Sequence, residues 1–227
     1  MLVPCATSDT NGLVACYELE DDFATTGVVR DSSANHLDAA TQGFAPTTRN
    51  NSHAARVMPT ASTFAPQVPA FDRAAGFTLA LWINPGALPG DGVAQGILDH
   101  EGQYAMAIAK SPGEGVTLRC IMNGLEYYEW VDGVKTNAWS LMGCTWDGTT
   151  MCAYRWTSPT SHLSNCFEMS NVPVASGSHG LAIGSFSTVG AAHDRFTGDL
   201  DSIHVYSRGL SEADMCDAAG QPATCSF

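Results

Sequence analysis

The stretch Phe196-Thr-Gly-Asp-Leu-Asp-Ser-Ile-His-Val-Tyr-Ser-Arg-Gly-Leu-Ser211 joins an acidic β run, a turn and the start of a helix in one unbroken order. Ser211 stands where it can cap the exposed amides of Glu212-Ala-Asp-Met-Cys216. Glu212 and Asp214 suit the positive end of a helix dipole, so one or two helical turns are expected after the strand. Working outward, the same period of two recurs. In Phe77-Thr-Leu-Ala-Leu-Trp-Ile-Asn-Pro85 the residues Phe77, Leu79, Leu81 and Ile83 share one face, and Thr78, Ala80, Trp82 and Asn84 share the other, so one face is expected to be core. Val116–Met122, Asn123-Gly124 and Leu125–Val131 read as strand, type I′ turn and strand. Asp132-Gly133 and Asp147-Gly148 mark further turns. Asp38 to Ala75, rich in Thr, Ala, Asn and Pro, reads as loops with one or two short strands. Strands at this spacing, with no long segment of helical period, argue for a β-sandwich or barrel.

In its order of an aromatic, a Gly, an apolar residue followed by Asp, a β run ending in Tyr, then Arg, a small residue, Leu and Ser, the quoted stretch resembles the C-terminal signature of laminin G-like domains of the concanavalin A-like lectin superfamily. Gly12-Leu-Val-Ala-Cys-Tyr17 resembles the opening strand of that family. Asp31-Ser-Ser-Ala-Asn35 resembles its Asp-x-Ser-Gly-Asn loop, with Ala34 where Gly is usual. Phe77–Pro85, the Trp139 to Gly148 segment ending in Thr-Trp-Asp-Gly, and Leu181-Ala-Ile-Gly184 follow in the family's order. The resemblance covers residues 12 to about 215. It implies an all-β fold, a two-sheet antiparallel jelly-roll β-sandwich with a short C-terminal helical turn, as one domain over residues 1–227 of a bacterial secreted or surface type. It does not single out a function, because the superfamily includes lectins, adhesion modules, glycosidases and polysaccharide lyases.

The chain has 227 residues, 44% of them hydrophobic, enough to bury a sizeable core in a single all-β domain. Its net charge of −13, from 23 acidic against 10 basic residues, argues against nucleic acid or anionic membranes as partners, since phosphates would be repelled. It suits divalent cations better. No apolar run approaches the ~20 residues that a membrane helix needs. The first residues lack the basic-then-apolar layout of a signal peptide, so an export signal is expected upstream of residue 1.

The eight cysteines, at 5, 16, 120, 144, 152, 166, 216 and 225, contain no C-x-x-C pair of the zinc-ribbon kind, which leaves disulfides as the better reading. Cys152 and Cys166 are symmetric about Pro159, as a hairpin there would require, and Cys216 with Cys225 could close a short loop. Cys5 with Cys16 and Cys120 with Cys144 complete the most local scheme, although sequence leaves other connectivities open. Four bridges imply an oxidising compartment, hence a secreted or cell-surface protein.

Three constellations could carry chemistry. Asp31, Asn35 and Asp201, with Glu20, supply the hard oxygens that calcium takes. A laminin G-like sandwich would bring the Asp31 loop to the last strand, and the resemblance implies a structural role for such an ion. The plain alternative is an Asx-type turn at Asp31. Second, Glu126, Tyr128 and Trp130 share a strand face, with Trp156, His162, Arg119 and the Asp99-His-Glu101 turn as expected neighbours. Stacking rings beside carboxylate and guanidinium groups suit a sugar, although such aromatics also pack sheet faces. Third, Glu18-Leu-Glu20 puts two carboxylates on one strand face, but without the Glu-x-Asp-x-x-Glu pattern of the related β-glucanases or the Gln-x-His strand of alginate lyases. Glu126 and Glu129 point to opposite faces. His193-Asp194 lacks a nucleophile elbow, and Asn50-Asn-Ser52 fits a glycosylation sequon. The reading that results is a non-catalytic carbohydrate-binding module of an exported protein, with a glycan or polysaccharide as partner and calcium in a structural role. Protein–protein adhesion is the second reading, and a glycoside hydrolase or polysaccharide lyase with an unfamiliar site is the third.

Overall fold

The computed structural model describes residue 5 and residues 11–72, 75–123, 127–158, 161–169 and 176–218. Its strands are β1 Leu13–Tyr17, β2 Val28–Val29, β3 Ala39–Arg49, β4 Ser52–Phe64, β5 Phe77–Pro85, β6 Ala94–His100, β7 Tyr104–Lys110 and β8 Val116–Met122. They continue with β9 Tyr127–Val131, β10 Ser140–Trp146, β11 Thr150–Ser158, β12 Ser161–Glu168, β13 Ala182–Ile183, β14 Phe186–Thr188, β15 Ala191–His193 and β16 Gly198–Tyr206. Two short helices are α1 Phe23–Thr26 and α2 Glu212–Ala218.

Hydrogen bonding runs in the order β12-β11-β10-β5-β16-β4-β13-β6-β7-β8-β9, with β1 on β16 and with β2 and β3 beside β4. The curled sheet folds back on itself as a jelly roll, so that β8 and β9 approach β10, β11 and β12. We call β12-β11-β10-β5-β16 the first layer and β6-β7-β8-β9 the second. Long β4 joins them, pairing with β16 through Val57 and with β13 through Phe64. The core between the layers holds Phe77, Leu79, Leu81 and Ile83 of β5 against Met106, Ile108 and Leu118 of β7 and β8. The disulfide Cys120–Cys144 ties β8 to β10 across that core. Cys5–Cys16 and Cys152–Cys166 are also bridged. Cys216 is disulfide-bonded as well, while Cys225 lies outside the described residues.

The opposite face of β5 is not solvent. Thr78, Ala80 and Trp82 are buried too, because α2 lays Met215 over Ala80 and Tyr206 in one cluster, and Trp82 packs with Leu141 and Trp156 in another. Ser211 does cap α2: Asp214 N donates to Ser211 Oγ at 3.2 Å, and Ser211 N donates to Asp214 Oδ2 at 3.2 Å.

The region expected to be mostly loop instead forms the longest hairpin. β3 and β4 run 11 and 13 residues and pair from Ala40↔Phe64 to Arg49↔Ser52. Its buried positions are held largely by small residues, with Ala54 and Ala55 both buried on opposite faces of β4, so few large apolar side chains mark the period. Asn50 and Asn51 make the two-residue turn with φ of 51° and 67°, the conformation a type I′ hairpin needs. Asn123 likewise has φ of 56°, but Gly124, Leu125 and Glu126 lie outside the described residues.

Candidate functional site

A row of side chains crosses the outer face of the first layer. Its register is His162↔Trp156 between β12 and β11, Trp156↔Leu141 to β10, Leu141↔Trp82 to β5, and Trp82↔Asp201 to β16. Directly opposed residues in an antiparallel ladder share a face. Since Leu81 and Ile83 point into the core, this row points away from it. At Asp201 the register of β16 slips before His204, and Ser202 takes φ of 51°. This bulge re-aims the strand, and the Ser202 hydroxyl donates to Asp201 Oδ1 at 3.0 Å.

The type I′ turn of the β3–β4 hairpin swings Arg49 onto the row. Arg49 Nε donates to Asp201 Oδ2 at 2.5 Å, and the guanidinium carbon sits 4.3 Å from the Trp82 ring centroid and 5.7 Å from that of Trp139. Stacking and ion pairing together fix this guanidinium. Burial pushes the Asp201 carboxyl up to about 6, against the opposing pull of Arg49 and Ser202. Two residues along β16, at Asp199, Arg56 repeats the pairing. Its Nε donates to Asp199 Oδ1 at 2.8 Å and its Nη2 to Asp199 Oδ2 at 3.4 Å, while Asn84 Nδ2 donates to the same carboxylate at 3.1 Å.

The row keeps hydrogen-bonding capacity unspent. Trp82 and Trp156 pack edge to face with centroids 5.8 Å apart, and both indole N–H groups are buried without an acceptor among the described residues. His162 Nδ1 and Asn84 Oδ1 are also without partners there. An orphaned buried polar group costs about 1–3 kcal/mol, so several in one row call for an explanation beyond packing. Sequence reasoning named Trp156 and His162 only as neighbours of another strand, and it missed Arg49, Trp82 and Trp139. Trp82 on the polar side of β5 was the available signal. Arg49 carried none, because its hairpin was not recognised.

The expected sugar face on β9 is only partly visible. Trp130 stands in register opposite Arg119, and Tyr128 opposite Ile121. The side chains of both aromatics, and all of Glu126, lie outside the description. Arg119 Nη2 donates to Ser111 Oγ at 2.8 Å. Asp99 lies on β6, with β7 and β8 between it and β9. It is buried, and it accepts from Ser187 N at 2.7 Å and from Ser187 Oγ at 3.0 Å. Burial pushes this carboxyl up to about 6, with the Ser187 donors opposing.

The residues expected to hold calcium do not fit such an ion as they stand. Asp31 Oδ1 accepts from Cys16 N and Ser33 N, and Oδ2 from Ser33 Oγ and Leu37 N, at 2.7–2.9 Å. Those donors fill the lone pairs of a carboxylate. Asn35 turns its amide nitrogen to the Val14 carbonyl at 2.8 Å. Asp201 is held by Arg49 and Ser202, and Glu20 accepts from Ser52 Oγ and His53 N. Among the described residues Asp31, Asp201 and Glu20 do not bring their oxygens together: the Asp31 loop bonds to the N–H and C=O of Cys16 on β1, while Asp201 lies on β16 opposite Trp82, outside the residues 203–206 that pair with β1. Among the described residues, one group of three His, Cys, Asp or Glu side chains brings its ligand atoms within 4.8 Å, and it is Cys5, Cys16 and His204, whose cysteines are bridged.

Residues 59–216 match a laminin G family described as the concanavalin A-like lectin/glucanases superfamily. No curated protein matches the sequence. Among solved structures, domain 4 of AbnA, a GH43 extracellular arabinanase from Geobacillus stearothermophilus in complex with arabinotriose, is similar at 16% identity and TM-score 0.62, covering 91% of this chain and 98% of that one. The binding domain of Paraclostridial Mosquitocidal Protein 1 is similar at 14% identity and TM-score 0.65, over 91% of this chain and 51% of that one. The binding domain of Botulinum Neurotoxin DC in complex with SialylT is similar at 8% identity and TM-score 0.57, over 91% of this chain and 50% of that one. At these identities the likeness establishes the fold.

Proposed function

The chain belongs to the concanavalin A-like lectin/glucanases superfamily, and from that premise we propose that it is a non-catalytic carbohydrate-binding module of an exported protein. Its partner is a glycan or polysaccharide, held on the outer face of the first layer. The observation that carries this reading is the row of Trp82, Trp156 and His162 with hydrogen-bonding atoms unspent, beside the half-buried ring of Trp139 and the paired Arg49 and Arg56. Sugars offer apolar C–H faces to aromatic rings and a dense set of oxygens to N–H donors. Similar folds occur in a domain solved with arabinotriose and in one solved with SialylT, which supports the ligand class. Export is supported by the disulfides. Among the described residues, no helix is long and apolar enough to cross a membrane.

Glycoside hydrolysis needs an acid and a second free carboxylate facing one bond. On this face Asp199 and Asp201 are each clamped by an arginine, which favours binding over turnover. A glycan array probed with the wild-type protein and with Trp139→Ala, with and without chelator, tests the reading. Binding of a defined glycan set, weakened at least tenfold in Trp139→Ala and unaffected by chelator, is expected. Absence of glycan binding by the wild type would leave the protein-adhesion reading, and release of reducing or unsaturated sugar ends from a bound glycan would make it an enzyme.

A further inference from the structure

We infer that the glycan bound on this face carries an anionic oxygen group, a sugar carboxylate or a sulfate ester, seated on the outer edge of the Arg49 guanidinium. The inference rests on the carbohydrate-binding reading and specifies its ligand.

It follows from which hydrogen-bonding atoms are spent. Arg49 spends Nε on Asp201, and among the described residues its two Nη atoms have no acceptor. Its plane is fixed from the side by Trp82 and Trp139. A guanidinium held in that way presents two parallel N–H donors in a fixed fork, and a planar carboxylate matches that fork with two oxygens. Trp82 and Trp156 add two more N–H groups that can only donate. The carboxylate on this row, Asp201, has both oxygens engaged. The unspent capacity around Arg49 is therefore dominated by donors, and its complement is a group that only accepts. A neutral sugar hydroxyl meets those donors with one oxygen and brings a proton that needs an acceptor of its own. One such acceptor, Asn84 Oδ1, lies two residues along β5 from Trp82, beside the Arg56–Asp199 pair. The face can thus hold an acidic group on Arg49 and a hydroxyl of the same or the next residue at Asn84.

The net charge of −13 gives no long-range attraction for an anion. Charges beyond about 8 Å are largely screened at physiological ionic strength, so recognition depends on these contacts. Arg56, whose side chain is 56% exposed, adds a second cation at the rim.

The test is a glycan panel with uronate, sulfated and neutral members, each uronate oligosaccharide also supplied as its methyl ester, probed with wild type, Arg49→Lys, Arg56→Gln and the neutral pair Arg49→Gln with Asp201→Asn. Melting curves first establish that each variant is folded. Binding confined to acidic members, lost on methyl esterification, and weakened at least tenfold in Arg49→Lys and in the neutral pair is expected, with a smaller loss in Arg56→Gln. A preference for uronates assigns the carboxylate, and a preference for sulfated members assigns the sulfate ester. Equal binding of the methyl esters, or of neutral glycans, would overturn the inference while leaving the carbohydrate reading intact. A panel with no bound member at all would overturn both.

Discussion

Asp31 and Asp201 are both buried, at 3% and 0% exposure, yet they are held by different kinds of donor. Asp31 takes three backbone N–H groups and one hydroxyl from within residues 16–37, so a single carboxylate closes one loop onto β1. Asp201 takes a guanidinium from 152 residues away and the hydroxyl of its own neighbour. Backbone donors cannot be redirected without unfolding the loop. A side-chain partner retains further donors of its own, and Arg49, only 6% exposed, holds them against the rings of Trp82 and Trp139. The first aspartate is therefore a structural lock, and the second anchors the arginine of the face proposed to bind glycan.

The largest loss of stability should come from the Asp31 lock. Asp31→Ala should leave its four donors without an acceptor and cost on the order of 4 kcal/mol in urea denaturation, by the same amount with calcium or with chelator. A loss that appears only when calcium is present would return the loop to the role of a cation site.

Arg49→Met should come next. It leaves a buried carboxylate unpaired, at a cost of about 3 kcal/mol at pH 7. The cost should shrink near pH 5, because Asp201, already pushed up to about 6, takes a proton once its partner is gone. A loss independent of pH would mean that stacking, and not the ion pair, holds the hairpin tip.

Asp99 is a third buried carboxylate, held by the backbone and hydroxyl of Ser187. Its folded pKa of about 6 lies above the unfolded value of roughly 3.9, so the folded state binds the proton more tightly. Stability from this group is fully present below the unfolded value and is lost as pH rises from about 4 through 6, on the order of 2 kcal/mol. Asp99→Asn should flatten that slope in denaturation measured across the same range, and an unchanged slope would assign it to other groups. The smallest effect on stability belongs to half-buried Trp139, where alanine should cost about 1 kcal/mol while reducing glycan affinity at least tenfold.

Much of the fold was legible in the residues because period-two alternation survives wherever large apolar side chains mark it. Phe77–Pro85 and Val116–Met122 are strands with the expected bounds, and the Gly198–Tyr206 strand leads to a helix capped by Ser211. The β3–β4 hairpin was not legible, since Ala and Thr fill the pleat without a hydrophobic rhythm. That omission hid the site as well. Arg49 reaches Trp82 and Asp201 only through the Asn50-Asn51 turn, a contact between positions remote in sequence. The cysteine scheme fared better because three of its pairs are local: Cys5–Cys16, Cys120–Cys144 and Cys152–Cys166 are separated by 11, 24 and 14 residues. Calcium ligation could not be inferred from Asp31 and Asn35, because the same residue types serve equally well to receive and satisfy backbone groups.

The most direct test uses the five tryptophans, each with one indole N–H resonance. In a titration of 15N-labelled protein with the glycans that bind it, the Trp82 and Trp156 signals should shift strongly as their unspent donors find acceptors. Trp146 should stay still, because it is buried and its N–H already donates to the Met169 carbonyl at 3.5 Å. Shifts confined to Trp130, with Trp82 and Trp156 unmoved, would contradict the account and transfer the binding face to β9.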